Sequence, residues 1–570
     1  MYIDIVPNRK SPPAVLLRES YREGGRVRKR TLANLSKLPM DQVELLKRVL
    51  KGEELVPAGE AFAVERSTPH GHVEAVLGAI RHLGVDRLVG STPSRERDLV
   101  VAMIAQRIIG GPSKLADTRL WHTCTLAEEL GVGDADENDL YAAMDWLLKR
   151  QPRIEKKLAK RHLSEGTAVF YDVSSSYYEG RTCPLARFGH DRDGKKGHEI
   201  IVYGMLTDAD GRPVSVQVYP GNTADPTTVP DQVEKLRERF GLNKVTLVGD
   251  RGMLTQTQID KIRDVPGLGW VSALRSGDVR KLVESGSLQL SLFDRRNLAE
   301  ISSPLYPDER LVACFNPLLA EERRRKRDEL LATTEDKLRR IQAEVERRTR
   351  KPLTAAEIGE KVGRSLNRWK MGKHFIVHIE DNRLEWHRDN DRIAKEAALD
   401  GIYIIRTGED AETLPADQVV RQYKNLARVE EVFRTMKGTD ILIRPIRHRL
   451  SDRVRAHIFL CMLAYYVIMH MKRALAPMLF KDETIDSDRA IRNPVAPATP
   501  TEHAKAKRAT KTDAENRPLH SFQTLLEALK SRCRLRCVTK TAKGAVRTVQ
   551  HTPPDDTQKR AYNLLGLRPT

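Results

Sequence analysis

The chain has 570 residues, enough for about three to five domains, and its 31% charged and 40% apolar residues suit a water-soluble globular protein. Average Gly and Pro contents exclude a collagen-like or wholly low-complexity chain, and only six cysteines make a disulfide scaffold a poor explanation. The excess of 98 Lys and Arg over 78 Asp and Glu gives a net charge of +20, which favours nucleic acid as partner, with solubility alone as the alternative.

Residues 1–60 begin with β-like runs at 2–6 and 15–17, followed by Gly24-Gly25 and a run of basic residues. A glycine pair between such runs predicts a basic β-hairpin. The hairpin charges could contact phosphates, or they could protect a strand edge from aggregation. The N-terminus lacks the apolar stretch of a secretory signal, so we expect a cytoplasmic protein, associated with the nucleoid when it is bound to DNA.

Residues 61–165 carry apolar residues at helical spacing over 73–83, 99–109 and 140–148. We predict a helical domain here, a candidate for binding DNA ends. Residues 166–276 then change to a β-β-β-α-β-α-β order, a meander followed by βα units.

Residues 277–400 interrupt that layout with a long charged helix over 319–350 and a hairpin over 374–389, so we predict an α+β insertion. A strand at 401–408, a strong helix at 419–436 and an apolar helix at 458–471 complete the core to residue 480. The apolar run 458–469 is shorter than the roughly 20 residues that span a bilayer, and it predicts a buried helix and no membrane partner.

Residues 481–518 lack apolar periodicity and contain several prolines, which predicts a flexible linker. The remaining residues, 519–570, predict a small α+β tail with one helix and one hairpin.

Three acidic residues stand out by their positions. Asp172 lies inside the apolar strand AVFYDV, where a carboxylate is costly unless it is paired or binds a metal. Asp250 ends the strand KVTLVGD, and the carboxyl ends of strands open into the binding crevice of α/β sheets. Glu430 lies on the 419–436 helix, beside its apolar face and in line with Tyr423 and Lys437, whereas Glu431 points about 100° away toward solvent.

Each acid also has an ordinary structural explanation. Asp250 could cap the following helix, Glu430 could pair with Lys437 or Arg434, and Asp172 could hold a turn. The charged turn with His190, Asp191, Asp193 and His198 could imitate a metal site, although a plain loop or a substrate contact is favoured there.

Three segments carry a resemblance to a known family: YDVSSSYYEG, then GNTADPTTVPDQVEKLRERFG with VTLVGDRGM, and finally YKNLARVEEVFRTMK. In these segments the sequence resembles the DDE transposases of bacterial insertion sequences, over about 165–475. It is most similar to the group with a Y-x2-R-x3-E-x6-K signature, the insertion sequence four superfamily. Tyr423, Glu430 and Lys437 match that signature, but Leu426 stands at the arginine position and Arg428 follows two residues later.

The resemblance implies an RNase H-like core, a mixed five-stranded sheet flanked by helices. It also implies that Asp172, Asp250 and Glu430 are the catalytic residues and the ligands of two Mg²⁺ or Mn²⁺ ions, with Asp172 bridging. Hard oxygen ligands suit these ions. The DNA contacts that we expect come from the signature, from the residue after Asp250 and from the arginines that follow the helix: Tyr423, Lys437, Arg251, Arg444, Arg447 and Arg449.

We therefore expect a transposase that binds the terminal inverted repeats of its element and catalyses DNA cleavage and strand transfer, as a homodimer on double-stranded DNA and with no small-molecule substrate. Two alternatives stay open. One is a catalytically silent or domesticated DNA-binding protein, and the other is an RNase H-like nuclease without strand transfer.

Overall fold

The N-terminal residues form a small sheet with one helix packed on it. The structure is a computed structural model that describes residues 1–569 except 10, 54–61, 112, 295, 496–498 and 542–543. The predicted hairpin is confirmed, with Gly24 and Gly25 at positive φ in its turn. Val43 of the helix packs against Ile3 and Val15. The elements are β1 (Tyr2–Val6), β2 (Ala14–Glu23), β3 (Arg26–Asn34) and α1 (Met40–Leu50).

The next region is helical, as predicted, but it opens with a strand that the apolar pattern did not indicate. A capping box of Asp136 and Asp139 begins its longest helix. The elements are β4 (Phe62–Pro69), α2 (Gly71–His82), α3 (Val85–Val89), α4 (Arg95–Ile109), α5 (Lys114–Leu120), α6 (Leu126–Leu130) and α7 (Glu137–His162).

The central sheet confirms the predicted β-β-β-α-β-α-β order. Its first three strands form an antiparallel meander, and the first strand also pairs in parallel with the fourth, which pairs in parallel with the fifth. The elements are β5 (Thr167–Tyr177), β6 (Ile200–Thr207), β7 (Pro213–Pro220), α8 (Val229–Glu234), β8 (Val245–Val248), α9 (Gln256–Arg263) and β9 (Leu268–Ala273).

The insertion confirms the long helix and the hairpin but corrects the size of the sheet. Its elements are α10 (Ser276–Glu284), β10 (Leu298–Ile301), β11 (Arg310–Phe315), α11 (Pro317–Arg347), α12 (Ala355–Asn367), β12 (Phe375–Glu380), β13 (Arg383–Arg388) and α13 (Asn390–Ala397), followed by β14 (Ile402–Thr407).

In the described part of the chain the sheet has eight strands instead of five, in the order β10-β11-β14-β9-β8-β5-β6-β7. Strand β14 lies antiparallel on β9, and β10 and β11 extend that edge. Pairing satisfies the backbone groups of β9, which would otherwise be an open edge. The insertion is therefore partly continuous with the core.

Two long helices follow the sheet, α14 (Ala416–Lys437) and α15 (Ser451–Ala474). Helix α14 lies across β5, β8 and β9. By length and apolarity alone α15 could cross a membrane, but most of its apolar window is buried inside the protein. The prediction of a buried core helix is confirmed.

The C-terminal residues depart from the predicted flexible linker. Two helices lie within 481–518, and the buried Lys507 donates hydrogen bonds to the carbonyls of Ala476 and Leu479. The predicted helix and hairpin of the tail are confirmed, but β15 pairs with β4 and thereby joins the tail to the helical region. The elements are α16 (Ile485–Ile491), α17 (Glu502–Thr510), α18 (Phe522–Lys530), β15 (Cys533–Thr541), β16 (Gly544–His551) and α19 (Asp556–Leu564).

Candidate active site

Strands β5 and β8 bring two of the three acidic residues to one edge of the sheet. The parallel register pairs Phe170 with Val248, so that Asp172 and Asp250 each lie two residues beyond that pair. Neighbouring strands are about 4.8 Å apart. Helix α14 crosses this position and carries Glu430, so the fold brings Asp172, Asp250 and Glu430 to the same place.

Asp172 is half-buried, and its pKa is raised to about 7. Burial is the largest cause, and the negative charges of Asp250 and Glu430 raise this pKa further. The backbone N–H of Val173 donates to Asp172 Oδ1 at 2.7 Å and partly offsets the shift. The three carboxylates are therefore close enough to act on one another.

Asp250 is exposed and organises the turn that follows β8. Its Oδ1 accepts hydrogen bonds from the backbone N–H groups of Gly252 at 3.0 Å and Met253 at 2.8 Å. The next helix, α9, begins later, with Thr255 at its N-cap position. Asp250 thus fixes its own turn and does not cap that helix.

Glu430 is exposed on α14 and forms no ion pair or hydrogen bond with any described residue. The alternative of a local pair with Lys437 is not what the structure shows, because Lys437 pairs elsewhere. The adjacent Glu431 acts on a different part of the protein: its charge adds to the burial that raises the pKa of Tyr465, and it opposes the burial that lowers the pKa of Lys481. Two neighbouring glutamates therefore face different surroundings.

Tyr423 lies about two helical turns before Glu430, on the same side of α14, and is half-buried near the acids. Burial raises its pKa to about 12, and the charges of Asp250, Glu430 and Asp172 raise it further, while Arg251 opposes them. Its hydroxyl therefore stays protonated at neutral pH.

Lys437 and Arg444, both predicted to contact DNA, converge on the buried carboxylate of Asp193. Lys437 Nζ lies 2.9 Å and Arg444 Nη1 2.5 Å from Asp193 Oδ1, and the Tyr177 N–H donates to Oδ2 at 3.0 Å. The sequence pattern placed Asp193 in a plain or metal-like loop and did not predict this role. The run of charges before β6 was the available signal.

Arg192 is a second residue that sequence reasoning missed. Its guanidinium contacts both carboxylate oxygens of Asp225 at 2.6 Å, and its charge acts on Asp172. Asp225 belongs to the GNTAD segment, so this motif anchors an arginine beside the acids.

Leu426 occupies the arginine position of the signature and packs against the hydrophobic core. Arg428 does not replace that arginine at the acids, because its guanidinium reaches Asp210 at 3.3 Å and Asp486 at 2.8 Å. The chain therefore departs from the signature in structure as well as in sequence.

The remaining predicted DNA contacts lie on two surfaces. Arg251 lines a basic cleft of about 470 Å³ between the sheet and the insertion. Arg447 is exposed and pairs with Glu179 at 3.0 Å, and it lines a different pocket together with Arg449. The cleft beside Arg251 is further lined by Arg280, Arg323, Lys326, Arg327, Lys370 and Lys373.

No three His, Cys, Asp or Glu side chains within the described ranges are grouped closely enough to hold one metal ion. The donor set nevertheless fits hard divalent cations, because all three ligand candidates are carboxylates, and the charges of Asp250 and Glu430 add to the burial that raises the pKa of Asp172.

These features define the chain as a mixed α/β protein whose central sheet carries converging acids. The family described as Transposase DDE domain matches residues 179–467, and the IS1634 family transposase N-terminal domain matches residues 3–58. The chain belongs to the DDE transposases of insertion sequences.

Among solved structures, the piggyBac transposase synaptic complex with hairpin DNA is similar at 10% identity and a TM-score of 0.33, over 81% of this chain and 76% of that chain. The search of curated proteins returned no match.

Proposed function

We propose that this transposase cleaves and joins DNA through Asp172, Asp250 and Glu430, on a core of RNase H-like topology. The strand order β7-β6-β5-β8-β9 supports that topology, because the meander precedes two parallel strands. The observation that carries the proposal is the convergence of the three acids: Asp172 and Asp250 occupy matching positions beyond neighbouring parallel strands, and Glu430 lies on the helix that crosses them. Burial raises the pKa of Asp172 to about 7, and the charges of Asp250 and Glu430 raise it further.

In this proposal Asp172, Asp250 and Glu430 would together hold two Mg²⁺ or Mn²⁺ ions, since carboxylate oxygens are the ligands that these ions prefer. A pair of ions supplies an activated water and a stabilised leaving oxygen when bound.

The chain's own residues position the DNA. Tyr423 presents a protonated hydroxyl at the acids, Arg251 opens onto the basic cleft, and the Asp193 pairs fix Lys437 and Arg444 at the end of α14. Water attacks the phosphodiester at the element end and leaves a 3′-OH on the element and a 5′-phosphate on the flanking strand. That 3′-OH then attacks a phosphodiester of the target and displaces the target's own 3′-OH, so that one bond forms as another breaks. No covalent protein–DNA bond is needed. Two ends must meet, so we propose a homodimer on DNA in the cytoplasm.

The first prediction compares two neighbouring glutamates. Glu430→Gln should lower cleavage about a hundredfold or more, because the carboxylate is worth several kcal/mol in the transition state. Supercoiled plasmid carrying the element ends is incubated with each variant, with and without Mg²⁺, and excision, nicking and joining are counted.

Glu431→Gln is the matched control, since it removes the same charge one residue along the helix and should keep activity near that of the unaltered protein. Equal activity of both variants would refute the assignment of Glu430. Nicking without joining would indicate a nuclease, and a mobility shift without cleavage would indicate a DNA-binding protein.

A further inference from the structure

A second basic pocket lies where helices α4, α5 and α7 meet the loop that leads into α15. Its volume is about 400 Å³, in the lower part of the range for small-molecule sites. The loop contributes His448 and Arg449, and the first turn of α15 contributes Arg453. None of the proposed catalytic acids lines it.

Its innermost cations are buried. Arg107 and Lys114 are each only 3% exposed. Lys114 pairs with Asp117 at 3.2 Å. Arg107 donates through Nη1 to the Ile441 carbonyl at 3.5 Å, but it forms no ion pair with a described residue, and its Nε has no hydrogen-bond partner there. A buried guanidinium without a counter-charge is costly. The pocket therefore holds unbalanced positive charge.

The rim adds to that charge. Arg453 stacks on the ring of Tyr141 at 4.2 Å, and neither it nor Arg449 forms an ion pair within the described part of the chain. Glu137 is the one carboxylate of the lining and accepts a hydrogen bond from Tyr141 at 2.6 Å. Cations exceed anions even after this carboxylate is counted.

The amino end of α15 opens into the same pocket. This helix has 24 residues, and Leu450 at its N-cap position provides no side-chain hydrogen bond to the first-turn amides. Leu450 and Arg453 both line the pocket. Uncapped amides and the helix dipole favour an anion at such an end.

The same positive charges affect the pKa of the His448 imidazole. Burial lowers its pKa to about 3, and the charges of Lys114, Arg107 and Arg453 lower it further. Its ring lies 5.0 Å from that of the buried His457. A bound anion would offset these charges.

We propose that this pocket binds a phosphate group, held by Arg107, Lys114 and Arg453 together with the first-turn amides of α15. Arginine forks and helix amides both match phosphate oxygens. The phosphate comes either from the DNA backbone or from a free phosphorylated small molecule. That DNA supplies the phosphate rests on the proposed function, whereas the existence of the phosphate site does not.

To test this, inorganic phosphate is titrated into the full-length protein in the absence of DNA and metal. Calorimetry measures the heat of binding, and a thermal melt measures the shift in the unfolding midpoint. Arg453→Gln should weaken binding about tenfold, the value of one charge-assisted hydrogen bond. Arg473→Gln, at the other end of the same helix and outside the pocket, should bind like the unaltered protein. Arg449→Gln serves as a second, exposed variant if Arg453→Gln fails to fold.

DNA competition then separates the two sources. A backbone phosphate is supported if a DNA duplex displaces the bound phosphate, and if the slope of log DNA affinity against log salt concentration falls by about one in Arg453→Gln. Phosphate binding that DNA leaves unchanged supports a free ligand. Absence of phosphate binding, or equal loss in Arg453→Gln and Arg473→Gln, would overturn the proposal. Glu430→Gln should bind phosphate with the affinity of the unaltered protein. A failure of the catalytic assignment can therefore be told apart from a failure of the phosphate site.

Discussion

At the scale of single residues, the carboxylates of the site differ because their surroundings differ. Asp172 lies within a strand whose neighbours are buried, and two other acids act on it. Asp250 is exposed and receives two backbone N–H groups. Burial and these charges raise the pKa of Asp172 to about 7, so we expect this carboxyl to take up a proton near neutral pH.

This pKa leads to the second prediction, that metal affinity rises with pH. A carboxylate must lose its proton to bind a cation. Because the folded-state pKa of Asp172 is raised, its neutral form prevails below pH 7 and its charged form above it. Between pH 6 and pH 8 the affinity for Mn²⁺ should increase about tenfold, as measured by calorimetry on the DNA-free protein.

Asp172→Asn should remove both the tight Mn²⁺ binding and its pH dependence. An affinity that stays constant from pH 6 to pH 8 in the unaltered protein would contradict the assignment of the proton to Asp172.

At the scale of secondary-structure elements, the position of α14 depends on a residue outside the helix. Asp193 joins the end of β5, through the Tyr177 N–H, to Lys437 at the end of α14 and to Arg444 beyond it. Its side chain is 1% exposed, so the pairs are shielded from water. Asp193 is a positioning residue for the helix that carries Glu430.

The third prediction is that Asp193→Asn destabilises the protein by about 3 kcal/mol, because it leaves the buried Lys437 ammonium without its counter-charge. The midpoint of chemical denaturation measures this loss. Lys437→Met in the same chain should recover part of the loss, since it removes the uncompensated charge.

If Asp193 positions α14, Asp193→Asn should also change the local dynamics of that helix. Hydrogen exchange at the C-terminal end of α14 should become faster in Asp193→Asn, whereas exchange in the distant hairpin β12–β13 should not change. Unchanged exchange in both elements, with unchanged stability, would show that α14 is held by packing alone.

The sequence predicted secondary-structure elements well where a regular spacing of apolar residues extends over many residues. The strands of the central meander and helices α11, α14 and α15 lie where the pattern placed them. It did not predict β10 and β11, since runs of four and six residues look alike in loops and in edge strands, and their pairing depends on a partner far along the chain. Because residues 481–518 contain several prolines, the sequence likewise predicted a linker where the structure has the helix α17, which the buried Lys507 anchors.

The candidate site could be predicted to the extent that its residues are set by local patterns. Strand ends and one helical stripe sufficed to select Asp172, Asp250 and Glu430 as candidates. The run of charges before β6 marked Asp193 as a candidate, but not its anchoring role, because its partners lie 244 residues away at Lys437 and farther still at Arg444.

At the scale of the whole molecule, the C-terminal segment closes onto the N-terminal half. Strand β15 pairs with β4 along most of its length, and the ion pair between Arg536 and Glu128 spans the same junction at 2.9 Å. The backbone N–H of Gly71 donates to the carbonyl of Arg532 at 2.9 Å. Residues that are far apart in sequence therefore form one folded unit here.

Gly71 lies at the tightest point of this junction, which gives the fourth prediction. A Cβ at this position would lie 2.3 Å from the Leu529 carbonyl oxygen and 2.8 Å from Arg532 Cβ. Both neighbours belong to or follow α18, so the backbones must move apart. Gly71→Ala should cost about 1–3 kcal/mol, the usual penalty for overpacking, measured as a lower denaturation midpoint.

Gly359→Ala is the matched control, because it places the same methyl group in the helix α12, where no atom lies within 4 Å of the added carbon. That variant should be stabilised by about 0.5–1 kcal/mol through the higher helix propensity of alanine. Hydrogen exchange locates the effect: amides of β4 and β15 should exchange faster in Gly71→Ala and at the original rate in Gly359→Ala. If Gly71→Ala keeps both its midpoint and the protection of β15, the C-terminal segment does not pack on α2 as tightly as the structure indicates.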